Sequence, residues 1–132
     1  MKNFAVNQII FTRIAAVLAF MLGTLTVIAG LRVALHYSIP DYTILYWLLY
    51  YNIILGVISV LASKSIWQGT RPAMYFSAFI LSSHALVIII LITAFKEVAA
   101  EQSIKAMGFR LFIWATILSI TLLSKTQRNE VH

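Results

Sequence analysis

Asn52, Ser77, His84 and Arg110 are polar or ionisable residues set inside long apolar stretches, with Tyr50, Tyr51 and Trp114 close to them in the chain. A histidine in such a place either ties two helices through a neutral hydrogen bond or holds a ligand or a proton. Asn52 and His84 fall near the middle of their stretches, so they are expected at similar depth and within reach of each other. Ser77 stands seven residues before His84 on the same helical face, and Ser82 and Ser83 flank it. Arg110 has two alternatives. It can snorkel outward to phosphates, the cheaper course, or turn inward toward Asp41, Glu97 or Glu101. Trp114, four residues on, is placed to cover the guanidinium by a cation–π contact. Turned inward, Arg110 would line an outward-facing cavity with Tyr50, Tyr51, Asn52 and His84, a setting that suits an anionic or quinone-like headgroup.

Other chemistries are excluded by what the chain lacks. With 0 Cys there is no thiolate metal site, iron–sulfur cluster or disulfide exchange. No HExxH, no Ser/His/Asp set and no Gly-rich phosphate loop is present. Haem held by two imidazoles needs a second histidine at matching depth, but His36 falls at a helix end and His132 is the last residue. A proton-coupled exporter needs a carboxylate within its helices, whereas Asp41, Glu97, Glu101 and Glu130 all fall outside or at the edge of the apolar runs. The expectation is no metal, no cofactor and no catalytic residue. Nucleic acid is not an expected partner, because no clustered basic patch lies beside stacking aromatics.

The elements that hold these residues are four apolar runs, about 14–33, 43–62, 72–95 and 106–124. Each approaches the roughly 20 residues of helix that cross a hydrocarbon core about 30 Å thick. None alternates as a barrel strand would, and unpaired backbone in lipid is too costly to leave open. The chain is 61% hydrophobic and 11% charged, with a mean hydropathy of +0.92. The predicted fold class is therefore an all-α integral membrane four-helix bundle, up-down-up-down, forming a single domain over residues 1–132, with loops too short for a soluble appendage. The first run continues past the length of a cleavable signal's apolar core, so it reads as a retained first helix.

Basic residues set the expected orientation. One face collects Lys2, Arg13, Lys64, Arg71, Lys125 and Arg128 with Glu130; the other collects Arg32, Lys96, Lys105 and Arg110 with Asp41, Glu97 and Glu101. Six basic residues against four place both termini in the cytoplasm. Anionic headgroups then account for the formal net charge of +6.

Punctuation predicts the boundaries. Asp41 or Thr43 is placed to cap the second helix, and Thr70 or Arg71 with Pro72 to open the third. The stretch from Lys96 to Ile104 has no Gly or Pro, so helix is expected to protrude there with Glu97, Glu101 and Lys105 on one face. Ala15, Ala19, Gly23, Thr26 and Gly30 form a small-residue stripe on the first helix, answered by Asn52, Gly56, Ser59 and Ser63 on the second. Such stripes let backbones meet closely in lipid, either within one chain or between copies, with bulky Leu, Ile and Phe turned outward. Tyr37, Tyr42, Tyr46 and Trp47 mark one expected interface, Trp67 and Tyr75 the other. Tyr50 and Tyr51 lie deeper, so at least one hydroxyl should point into the bundle.

In size and four-helix layout, and along Pro40-Asp41-Tyr42 through Asn52 and Glu101 through Arg110, the chain resembles small bacterial inner-membrane proteins of the DoxX-like kind. That resemblance implies an envelope-associated, accessory or redox-linked role and assigns no catalytic residue. Three functional readings follow. The first, which the missing motifs and the small-residue stripes favour over the other two, is a non-catalytic module, self-associating or accessory to a larger membrane complex. The second is a binding protein or enzyme for a lipophilic lipid or quinone-like ligand near His84 and Arg110. The third is a small-solute channel or transporter. Membrane lipids are expected partners in all three.

Overall fold

The computed structural model describes residues 2–41 and 43–130, with side chains described for 3, 6–41 and 43–124. The elements are α1 (Lys2–Ala34), α2 (Tyr46–Gln68), α3 (Pro72–Thr93) and α4 (Glu101–Glu130), with no strand among the described residues. All four contain stretches long and apolar enough to cross a membrane: Val6–Ala34, Tyr46–Gln68, Pro72–Thr93 and Glu101–Ser124.

Each helix packs on two others, α1 and α3 both touching α2 and α4, and the α1–α2 seam is the most extensive. Gly23 lies against Gly56 and Ser59 while Gly30 lies against Ile53, so rising numbers in α1 meet falling numbers in α2 and the two run antiparallel. Arg13 beside Trp67 continues the same register. Thr12 Oγ1 lies 3.2 Å from Ser124 Oγ, pairing the start of α1 with the far part of α4.

Small residues line much of the interior, alongside Trp114, Ile66, Ile80 and Leu91. Ala15, Ala19, Ala62, Ala73, Ser59 and Ser77 are buried, whereas Phe112 is 70% exposed and Phe20, Leu25, Leu61 and Leu86 also stand outside. A water-soluble bundle hides its large apolar side chains; this arrangement suits a solvent of acyl chains, where close backbone packing replaces hydrophobic burial. The interior hydroxyls serve their own helices: Thr26 donates to the Leu22 carbonyl at 2.7 Å, Ser59 to Leu55 at 2.7 Å and Ser77 to Ala73 at 2.8 Å. They therefore fill space without tying helices together.

Several boundaries differ from the sequence expectation. α1 begins at Lys2, well before the expected run start at residue 14, and Val6, Ile9, Ile10 and Phe11 extend the helix on its exposed side. α2 starts at Tyr46 after an extended Leu45 that makes no side-chain cap, so neither Asp41 nor Thr43 acts as one, and it runs on to Gln68. Gly69 ends it in the left-handed conformation, with its amide and that of Thr70 on the Ile66 and Ser65 carbonyls. α3 opens with Pro72 in its first turn, as expected, though Arg71 makes no side-chain cap. The protruding helix over 96–104 is not formed: residues 94–99 turn, and helix resumes only at Glu101. Phe95 leaves the helical path to meet Trp47, centroid to centroid 5.4 Å, and to pack with Ala99 on a buried cluster. Burial there overrides local helix propensity. Glu97 consequently lies off the helix, and the charged stripe shrinks to an exposed Glu101–Lys105 pair at 2.8 Å. Tyr42 and the side chains of Lys2, Lys125, Arg128, Glu130 and His132 lie outside the described residues.

Candidate functional site

Asn52 sits six residues into α2, Arg110 nine residues into α4 and His84 nine residues before the end of α3. At about 1.5 Å of rise per residue these are some 9–14 Å from the helix ends nearest the 35–45 and 94–100 connections. Two hydrogen bonds between helices form there. Arg110 Nη1 donates to Asn52 Oδ1 at 2.8 Å, joining α4 to α2. The Tyr51 hydroxyl and His84 Nδ1 lie 3.0 Å apart, joining α2 to α3, with the two rings edge to face at 81°.

The sequence reading paired Asn52 with His84; the structure exchanges the partners. Successive helical residues are turned by about 100°, so Tyr51 and Asn52, adjacent in the chain, face different neighbours. Arg110 does not snorkel outward, nor does it reach Asp41, Glu97 or Glu101. It is half-buried against a neutral amide, and its charge acts on both Tyr51 and His84. Among the described residues the one salt bridge is the exposed Glu101–Lys105 pair, so no carboxylate balances the guanidinium.

This polar layer is one helical turn thick. On the side of the connections lies an apolar cluster of Leu48, Val87, Leu91 and Met107. On the other side lies a second cluster that includes Leu55, Ile80, Trp114 and Ile117, and Tyr51 packs against both. Each of three helices thus contributes in order an apolar residue, a polar one and an apolar one: Leu48, Tyr51 or Asn52, and Leu55 on α2; Leu91 or Val87, His84, and Ile80 on α3; Met107, Arg110 and Trp114 on α4.

The remaining candidates divide. Ser77 is buried on the same face as His84 but spends its hydroxyl on its own helix. Tyr50 is 57% exposed and turns away from the layer. Trp114 does not cover Arg110. It is fully buried in the inner apolar cluster, and its Nε1 is the one enclosed side-chain nitrogen or oxygen without a partner among the described residues. The cation–π contact that does form is Arg13 over Trp67, 4.9 Å from the ring centroid at the opposite end of the bundle. The sequence reading gave Arg13 no such role; the antiparallel register implied by facing small residues was the signal that could have paired them.

The stripe residues Ala15, Ala19, Gly23, Gly30, Gly56 and Ser59 are all buried. A Cβ at Gly23 would stand 2.7 Å from the Gly56 carbonyl oxygen, and one at Gly56 2.7 Å from Val27 Cγ2, so α1 and α2 meet backbone to backbone. The stripe is engaged within the chain. Among the described residues no group of three or more His, Cys, Asp or Glu is gathered to hold a metal. Comparison with protein-family models, curated proteins and solved structures finds no match to this chain.

Proposed function

We propose that this chain is a four-span membrane protein with both termini cytoplasmic, and that its role is to bind a lipophilic ligand whose headgroup enters the polar layer at Asn52, Tyr51, His84 and Arg110. The observation that carries this reading is Arg110 held inside the bundle on a neutral amide. A guanidinium at such depth is costly, and lipid-facing arginines escape by snorkelling. Retaining it without a carboxylate leaves a site charged for something else. Hydrogen bonding and burial at these four residues describe recognition, and the role proposed is binding. A DoxX-like envelope role is compatible with such a module.

The test is native mass spectrometry of the protein released from nanodiscs formed directly from its host membrane. An amphiphile of defined mass should accompany the wild-type chain at fixed stoichiometry and be lost from Arg110→Met. Identical lipid profiles for the two proteins would reject the reading.

A second reading, an accessory or self-associating module, is favoured by the outer face of α4. Only 17% of its most apolar window is buried, against 28–33% for the other three helices, and Ala115, Thr116 and Ser119 on it are exposed. Disulfide cross-linking of Ala115→Cys in membranes tests this: a dimer supports association, and a monomer at all oxidant levels opposes it.

A further inference from the structure

The polar layer is an unbalanced set of hydrogen-bond donors, and we propose that its ligand is an oxyanion, a carboxylate or phosphate carried on an apolar tail. The inference rests on the ligand-binding reading above and narrows it to one chemistry. Arg110 spends one guanidinium N–H on Asn52 and keeps the rest. Asn52 accepts through Oδ1, which leaves its NH₂ as donor. In the Tyr51–His84 pair the proton lies on either partner, and both arrangements leave one spare donor: the Nε2–H when tyrosine donates, the O–H when Nδ1 does.

One turn farther along α4, within the neighbouring apolar cluster rather than in the layer, the enclosed Trp114 Nε1 has no partner among the described residues. Buried polar groups are hydrogen-bonded as a rule, so an orphan of this kind calls for an acceptor. Among the described residues no ion pair joins a carboxylate to any member of the group. A neutral quinone would accept hydrogen bonds but leave the guanidinium charge unanswered. An oxyanion answers both, since the planar fork of arginine matches carboxylate and phosphate geometry. Apolar clusters border the layer on both sides, and the lipid-facing surface of the helices is apolar as well, so an apolar tail on the anion is the form such a site would meet in a membrane.

The test compares four probes on the purified protein in nanodiscs of zwitterionic lipid: palmitate, dodecyl phosphate, hexadecanol and inorganic phosphate, with binding read by titration calorimetry. The two anionic amphiphiles should bind, and Arg110→Gln should weaken them by about ten- to a hundred-fold, the worth of a charge-assisted hydrogen bond. Hexadecanol should bind more weakly than palmitate and be indifferent to the substitution. Asn52→Asp is the second variant: it supplies the missing carboxylate beside Arg110, so it should abolish anion binding while retaining helicity and thermal stability.

Hexadecanol binding as tightly as palmitate, or Asn52→Asp binding palmitate like the wild type, overturns the oxyanion inference while leaving a lipophilic ligand in place. Binding of inorganic phosphate as tight as that of dodecyl phosphate supports the oxyanion but assigns it to a free solute. Absence of binding by every probe defeats this inference, and with an unchanged lipid profile in Arg110→Met it defeats the broader reading as well.

Discussion

Replacing Gly23 by alanine drives a methyl group to 2.7 Å from the Gly56 carbonyl oxygen and 2.9 Å from Ser59 Cβ, where ordinary contact begins at 3.4 Å. Backbone cannot swing aside, so α1 and α2 must separate by several tenths of an ångström along their most extensive seam. Overpacking of this kind costs roughly 1–3 kcal/mol, and a helix-interior Gly→Ala change returns about 1 kcal/mol of propensity. The expected net loss is up to about 2 kcal/mol. Gly108→Ala is the control, because its methyl would meet only Ile88 Cδ1 at 3.9 Å and keeps the propensity gain of up to about 1 kcal/mol. Gly30→Ala is also destabilising: its methyl would stand 2.5 Å from Ile53 Cγ1, an inner atom of a β-branched side chain with little rotamer freedom to yield. Reversible unfolding in mixed micelles, followed by tryptophan fluorescence and circular dichroism, ranks the three. Gly23→Ala as stable as Gly108→Ala would refute the backbone contact between α1 and α2.

Two further outcomes follow from the geometry. A double-mutant cycle on Tyr51→Phe and His84→Leu should give a coupling of about 0.6 kcal/mol in the same unfolding assay, the usual worth of an interhelical hydrogen bond in lipid; strictly additive losses would show that the 3.0 Å contact contributes nothing. His36→Gly should stabilise the bundle by up to about 1 kcal/mol, because His36 holds a left-handed φ of 61° where α1 ends and glycine adopts it without strain; a loss of stability would mean that the imidazole makes a contact worth more than the relief.

Helix number and identity were legible because apolar run length is a direct consequence of hydrocarbon thickness. Apolar run length does not mark where a helix ends, and so α1 and α4 are longer than the apolar runs. Small residues announced close packing at Gly23 and Gly56, yet composition does not say whether the opposing face belongs to the same chain. The structure gives it to α2. Depth placed Asn52 and His84 at one level, with Arg110 beside them only in the alternative where it turns inward, but partner choice depends on rotation about each helix axis, which sequence position alone does not set. That is why Asn52 meets Arg110 and His84 meets Tyr51. The break at 94–100 depends on Phe95 finding Trp47, a contact between residues 48 positions apart, invisible to a local propensity argument.

Four crossings of a bilayer are the central proposal for this protein, and a chain without cysteine is ready for the direct measurement. Single cysteines at Asn3, Tyr37, Thr70 and Gln102, probed in sealed right-side-out vesicles with a membrane-impermeant maleimide, should label from outside only at Tyr37 and Gln102, with Asn3 and Thr70 reacting after the vesicles are opened. Labelling of all four sites in intact vesicles, or of Asn3 together with Tyr37, would contradict it.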